Sequence, residues 1–189
     1  MSREGNIGKA VFVDDKTYNV MDVRDGGMGR VWLLQQAFDD SCDPIFSKKI
    51  AVKTFDYFDD QASVERELNI WISLSHKSIL PLRKLCRLNY RLAALMPMRD
   101  GSLNDFLQEM GALGSKDTLR LLLPVAEALN YSWVTHGVLH LDLKPSNILF
   151  DGSSSPRVEV ADWGIARLAI ERNNGAAKDA LIYSPFPAS

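Results

Sequence analysis

The chain has 189 residues and a mass of 21.2 kDa, the size of one domain or of one small lobe with part of another, and too short for a multidomain enzyme. Hydrophobic residues make up 46% and charged residues 24%, which excludes collagen-like, low-complexity and wholly disordered chains. Lys+Arg 22 against Asp+Glu 24 gives a net charge of −2, so no global field holds nucleic acid or an anionic membrane, and any phosphate site must be local. Cys42 and Cys86 are too few for a disulfide framework or a metal quartet and read as free thiols in a reducing compartment. No stretch approaches the ~20 apolar residues that cross a bilayer, and Met1 to Gly5 lacks the apolar core of a signal peptide, so a soluble chain is expected.

The first half reads as short strands with one helix. Apolar and β-branched clusters at Ala10 to Val13, Tyr18 to Val23, Val31 to Leu34 and Ile50 to Phe55 are separated by Asp-rich or Gly-rich breaks. From Gln61 to Leu74 the period becomes helical, with Val64, Leu68 and Trp71 on one face and Glu67 one turn from Val64, aimed at the sheet. Strands at Leu82 to Leu88 and Arg91 to Met98 complete an antiparallel set. Asp100-Gly101 breaks the chain before a short helix, Leu103 to Met110, whose start carries a capping box in Ser102 and Asp105. A longer helix is expected from about Thr118 to Thr135 with Asp117 as its cap. Pro124 inside it lacks an amide donor and predicts a kink or a shifted start. After Gly137 a hairpin follows with its tip at Asp151 to Pro156, and beyond Gly164 the composition is loop-like, with no internal repeat.

The strongest chemical signal is His140-Leu141-Asp142-Leu143-Lys144-Pro145-Ser146-Asn147. Five of its positions fit one pattern, a coincidence on the order of 10⁻⁴ for the chain at average residue usage. Here the sequence resembles the eukaryotic-type protein kinases, whose catalytic loop has this form, and the Lys two residues after the Asp resembles the serine/threonine-specific branch. Arg24-Asp25-Gly26-Gly27-Met28-Gly29-Arg30-Val31 is similar to the glycine-rich loop over the ATP phosphates, with Arg24 in place of its first glycine. Taken alone, such glycines more often make a hairpin turn. Ile50-Ala51-Val52-Lys53 resembles the strand of the ATP-positioning lysine. Glu67, or as a fallback Glu65, would pair with Lys53. Asp162-Trp163-Gly164 stands where the family has Asp-Phe-Gly.

The resemblance implies an α+β, bilobal fold, with a sheet lobe of about residues 10–98 and a helical lobe of about 99–189 that lacks its last helices. It implies ATP and Mg²⁺ as cofactors, with Asn147 and Asp162 as metal ligands. Asp142, Lys144, Lys53 and Glu67 would be catalytic, and Gly26, Gly27, Gly29, Val31, Ala51, Lys53, Met96, Met98 and Leu149 would hold the nucleotide, Met96 as gatekeeper with Pro97 beside it. Trp71, His140 and Trp163 would stack into the spine of the active state. Only 25 residues follow Gly164, ending near Tyr183-Ser184-Pro185-Phe186, which resembles the end of an activation segment. The implied protein is a shortened or a minimal bacterial-type kinase, cytoplasmic, or secreted into a host cell if it is an effector.

Three functions follow from the resemblance: a protein serine/threonine kinase acting on a protein substrate, a kinase-shaped binding module, or a small-molecule kinase, against which Lys144-Pro145 argues. A partner covering the shortened lobe is expected on an apolar face of the Thr118 to Thr135 helix made by Leu119, Leu122, Leu123, Ala126 and Leu129. Resemblance to short bacterial effectors implies ubiquitin or a ubiquitin-conjugating enzyme for it. Leu141 replaces the arginine that pairs with a phosphorylated activation loop, and 165–182 holds no Ser, Thr or Tyr, so activity independent of phosphorylation is expected.

Overall fold

The computed structural model describes residues 6–26, 29–37, 49–55, 61–152, 157–163 and 167–168, without the side chains of 61–64, 66, 67, 167 and 168. Six antiparallel strands form the first part: β1 (Ala10–Val13), β2 (Lys16–Gly26), β3 (Gly29–Gln36), β4 (Lys49–Phe55), β5 (Lys84–Leu88) and β6 (Arg91–Pro97). They pair in the order β1, β2, β3, β4, β6, β5. The β2 strand runs longer than its apolar cluster and carries an irregularity between Val20 and Asp22, which turns its end over the neighbouring strands. Helix α1 (Gln61–Ser73) crosses between β4 and β5, with Leu68 and Trp71 buried as its period predicts.

Strand alternation splits the sheet into two apolar faces. Val20, Leu34, Ile50, Val52 and Leu95 belong to one buried cluster, which also takes Cys86. Burial pushes the Cys86 thiol up to about 12, so it is inert filling rather than a nucleophile; Cys42 lies outside the described residues. Leu33, Ala51 and Met96 join the other cluster, which continues through Leu68 and Trp71 into Val125, Ala128, Val138, Ile148 and Trp163. One core therefore cements the sheet to the helical part, and the site lies at their junction.

The second part holds β7 (Gly101–Ser102), α2 (Leu103–Met110), α3 (Ser115–His136), β8 (Val138–Leu139), a 3-10 turn (Pro145–Asn147), β9 (Ile148–Asp151), β10 (Arg157–Val160) and β11 (Arg167–Leu168). The capping box is formed: Ser102 Oγ accepts from the Asp105 amide, and the Asp105 carboxylate accepts from the Ser102 amide. Helix α3 starts earlier than its sequence signal. Gly114 is the N-cap, and Asp117 stands inside the first turn, where its charge meets the positive helix end. The helix runs unbroken past Pro124 to His136 and stops at Gly137, whose φ of 64° closes the left-handed cap. Burial of Val125 and Ala128 offsets the lost amide donor. The opposite stripe is bare, with Leu119 at 70% and Leu123 at 63% exposure and Leu122 also exposed. The tract after Gly164, expected to be loop alone, contributes β11, which pairs with β8. The β9–β10 hairpin is as predicted, with 153–156 outside the described residues.

Candidate active site

A cleft of about 420 Å³ opens between the sheet and the 3-10 turn. Its roof is built by register: Val31 pairs with Lys53 across β3 and β4, and Ala51 pairs with Met96 across β4 and β6. Alternation then puts Ala51 and Lys53 on one face of β4, the cleft face. Leu149 of β9 lines the cleft from the helical side, with Val31, Ala51, Met96 and Pro97 also in its wall. Met98, just past the end of β6 at Pro97, packs partly buried against the core. A larger hollow of about 620 Å³ on the outer side of the sheet, among Lys16, Lys49, Arg83 and Lys84, holds none of the motif carboxylates.

Lys53 is buried, 5% exposed, and its Nζ donates to Asp162 Oδ1 at 2.5 Å. The ion pair drawn by the cleft is thus Lys53–Asp162; the side chain of Glu67 lies outside the described residues. Asp162 sits at φ 63°, a conformation that costs a non-glycine residue of order 1–3 kcal/mol and persists only where neighbours enforce it. The enforcing group is the next residue. Trp163 is fully buried, its Nε1 donates to the Val160 carbonyl at 3.2 Å, and its ring meets His140 edge-on at 4.6 Å between centroids. The turn drives the indole into the core and the carboxylate into the cleft. Trp71 belongs to the same buried cluster as Trp163, so the three expected spine residues lie in one core region.

His140 organises the catalytic loop. Its Nε2 donates to the Ala161 carbonyl at 2.9 Å, and its Nδ1 accepts from the Asp142 amide at 3.2 Å. That pattern requires the neutral ring with the proton on Nε2, and burial, the largest cause, holds its pKa below the usual histidine value. Leu141 takes φ 63° between these two contacts, turning Asp142 outward. Asp142 Oδ2 accepts from Lys144 Nζ at 2.7 Å and from Asn147 Nδ2 at 3.2 Å, and the Asp142 carbonyl takes the same Nδ2 at 2.9 Å. Oδ1 of Asp142 accepts no hydrogen bond among the described residues, so half of this carboxylate stays open. With Nδ2 so engaged, Asn147 turns its amide oxygen away as a hard donor. Lys144, Asn147 and Asp162 all line the cleft.

The donor set fits Mg²⁺, which takes one or two protein oxygens and completes its shell with phosphate and water. No cluster of three or more His, Cys, Asp or Glu side chains able to hold a metal occurs among the described residues, so the protein alone does not cage an ion.

Gly29 belongs to the cleft, but its lack of a side chain has a cause within the sheet: at φ 140° a Cβ would lie 1.9 Å from the Thr54 carbonyl oxygen. Gly26 pairs with Gly29 across the β2–β3 end, and Gly27 lies outside the described residues. Two contacts went unseen in the sequence. Arg24 reaches Asp105 on α2 at 3.2 Å across the cleft mouth. The Asp105 carboxyl is raised by partial burial but more than recovered by Ser102 and Arg24, and ends below its usual value. Arg99 pairs with Glu159. The one available signal was Glu159 itself, a lone carboxylate inside the apolar β10 run.

No helix of the described residues is long and apolar enough to cross a membrane. The protein kinase domain profile matches residues 20–186. A probable myosin light chain kinase of Dictyostelium discoideum is 34% identical over 112 residues, 58% of this chain and 28% of that protein. Serine/threonine-protein kinase dkf-1 of Caenorhabditis elegans is 32% identical over 113 residues, 58% of this chain and 16% of that protein. Probable serine/threonine-protein kinase PknB of Lactococcus lactis is 28% identical over 168 residues, 87% of this chain and 26% of that protein. The chain thus spans 28% or less of the length of each of these relatives. A profile match over most of the chain, with the His140 to Asn147 loop, the Lys53 strand and the Asp162 turn meeting at one cleft, assigns the fold as bilobal: the chain belongs to the protein kinase family.

Proposed function

We propose that the chain is an ATP- and Mg²⁺-dependent protein serine/threonine kinase. The observation that carries this reading is that Lys53, Asp162, Asn147 and Lys144 line one cleft, with Lys53 paired to Asp162 at 2.5 Å and Asp142 tied at the cleft's edge to Lys144 at 2.7 Å and Asn147 at 3.2 Å. Phosphoryl transfer asks a protein mainly for positioning and charge compensation. Lys53 holds Asp162 in place and presents its remaining N–H groups to the α- and β-phosphates. Asn147 and Asp162 would hold Mg²⁺, which would supply charge neutralisation to the phosphates when bound. Asp142 Oδ1 orients the acceptor hydroxyl and takes its proton as the oxygen bonds to the γ-phosphorus and the bond to the β-phosphate oxygen breaks. Lys144 compensates charge on the transferred group.

Lys144, two residues after Asp142, favours Ser and Thr acceptors over Tyr, as the two relatives named as serine/threonine kinases do. The test is transfer from γ-labelled ATP to a mixed protein substrate, followed by phosphoamino-acid analysis. Label on phosphoserine and phosphothreonine is expected, and label on phosphotyrosine alone overturns the specificity.

A binding module is the second reading, favoured by the bare Leu119, Leu122 and Leu123 stripe of α3 and by Arg24 spanning the cleft mouth. A protein partner would dock on that stripe, and no residue of it favours ubiquitin over another apolar surface. Magnesium-dependent labelling of substrate by the isolated chain separates the two readings in favour of the enzyme.

A further inference from the structure

Arg99 and Glu159 form an ion pair that the transfer chemistry does not use. Glu159 is 4% exposed, and its carboxylate accepts from Arg99 Nε at 2.7 Å and Nη2 at 3.0 Å, the planar fork that fits guanidinium to carboxylate. Burying two charges is costly and contributes little net stability, so stability alone does not account for the pair. Glu159 stands directly opposite Leu149 in the β9–β10 ladder, and opposed residues of antiparallel strands share a face. The carboxylate therefore lies beside a residue of the cleft wall.

Beyond a longer ion pair with Asp151 Oδ2 at 3.8 Å, the guanidinium donates from Nη1 to the Met98 carbonyl at 3.2 Å. A trans peptide is planar, so holding the Met98 carbonyl directs the Arg99 N–H the opposite way. That N–H has no hydrogen-bond partner among the described residues, whereas the following amide, Asp100, is tied to the Phe150 carbonyl at 3.1 Å. Arg99 and Pro97 both line the cleft.

We propose that Arg99 and Glu159 are positioning residues, a brace that fixes the Met98–Arg99 peptide so that its N–H and the Pro97 carbonyl present one donor and one acceptor to the base of a bound purine nucleotide. This rests on the nucleotide-binding reading of the cleft. The brace acts on recognition of the base and leaves the phosphate end, with Lys53 and Asp162, untouched. Removing it weakens ATP binding and erodes selectivity among bases, while turnover at saturating ATP holds.

The test uses the full chain with Mg²⁺. Dissociation constants for ATP and CTP, KM for ATP, kcat and melting temperature are measured for the wild type and for Arg99→Met/Glu159→Met, which replaces the buried pair by apolar side chains and keeps the fold. The expected result is about a tenfold weaker ATP affinity, a reduced preference for ATP over CTP, and a kcat within about twofold of the wild type. Arg99→Lys keeps a cation beside Glu159 and drops the Met98 contact, and it reads the same loss should the double variant be unfolded. Wild-type affinity and base preference in the folded variants overturn the brace alone. A wild type that binds neither nucleotide overturns the reading of the cleft, and the brace with it.

Discussion

Replacing Trp163 tests how the turn at Asp162 is held. Trp163 is fully buried, meets His140 edge-on, and donates to the Val160 carbonyl. Truncation to Ala removes an indole from a close-packed site and leaves a cavity, a change that typically costs about 3–5 kcal/mol. For a chain of this length that lowers the melting temperature by about 6–20 °C. Trp163→Phe behaves differently. It keeps an aromatic edge for His140 and forfeits the Nε1 hydrogen bond, worth about 1 kcal/mol. The Val160 carbonyl is not orphaned, because the Leu80 amide also donates to it at 2.9 Å. With part of the ring volume lost as well, about 2 kcal/mol is expected for Phe. Urea denaturation followed by far-UV circular dichroism gives both values without relying on tryptophan fluorescence. A cost under about 1 kcal/mol for Trp163→Ala refutes the claim that this indole anchors the turn at Asp162.

Lys53→Met keeps the aliphatic stem, so the fold is expected to survive, while transfer falls by a factor of ~10² to 10³, read as kcat/KM with labelled ATP; near wild-type turnover shows that another cation serves the phosphates. The pH dependence of stability follows from His140, whose pKa burial holds below the ordinary value of 6.5. The unfolded chain takes up the proton first as pH falls, so this contribution is intact above about 6.5 and is lost progressively below it, at no more than about 1.4 kcal/mol per pH unit. Urea midpoints between pH 7 and 5.5 should fall more steeply for the wild type than for His140→Gln, and equal slopes contradict the assignment. Phosphatase treatment of the purified protein is expected to leave its initial transfer rate unchanged, since Leu141 cannot pair with a phosphorylated loop; a tenfold fall that is absent in a Tyr183→Phe, Ser184→Ala variant contradicts it.

Much of this architecture was legible because local rules and tertiary packing agree. The strands of the sheet follow apolar alternation, and the capping box at Ser102 and Asp105 forms as its spacing predicts. The catalytic loop is likewise legible, since His140, Asp142, Lys144 and Asn147 bond among themselves within a few residues. What misled was a local signal with a second explanation. Asp117 looks like a cap because an acid at a helix start is favourable in the first turn as well, and the true start is three residues before Thr118. Gly29 is a different case: it resembles a phosphate cradle, and the Thr54 carbonyl adds a second reason for its missing side chain. Contacts between distant elements were illegible. Lys53 meets Asp162 across 109 residues and Arg99 meets Glu159 across 60, and no periodicity reports which carboxylate a buried cation will find.

The central claim is that Asp142, steadied by Lys144 and Asn147, directs phosphoryl transfer from a nucleotide in this cleft. Its most direct measurement is the single-turnover rate of label transfer from γ-labelled ATP with Mg²⁺ to a protein substrate, compared between the wild type and Asp142→Ala at matched folding. The account predicts labelled substrate with the wild type and a rate at least ~10²-fold lower in the variant, because acceptor orientation and proton removal are lost together. Equal incorporation by the two proteins contradicts it.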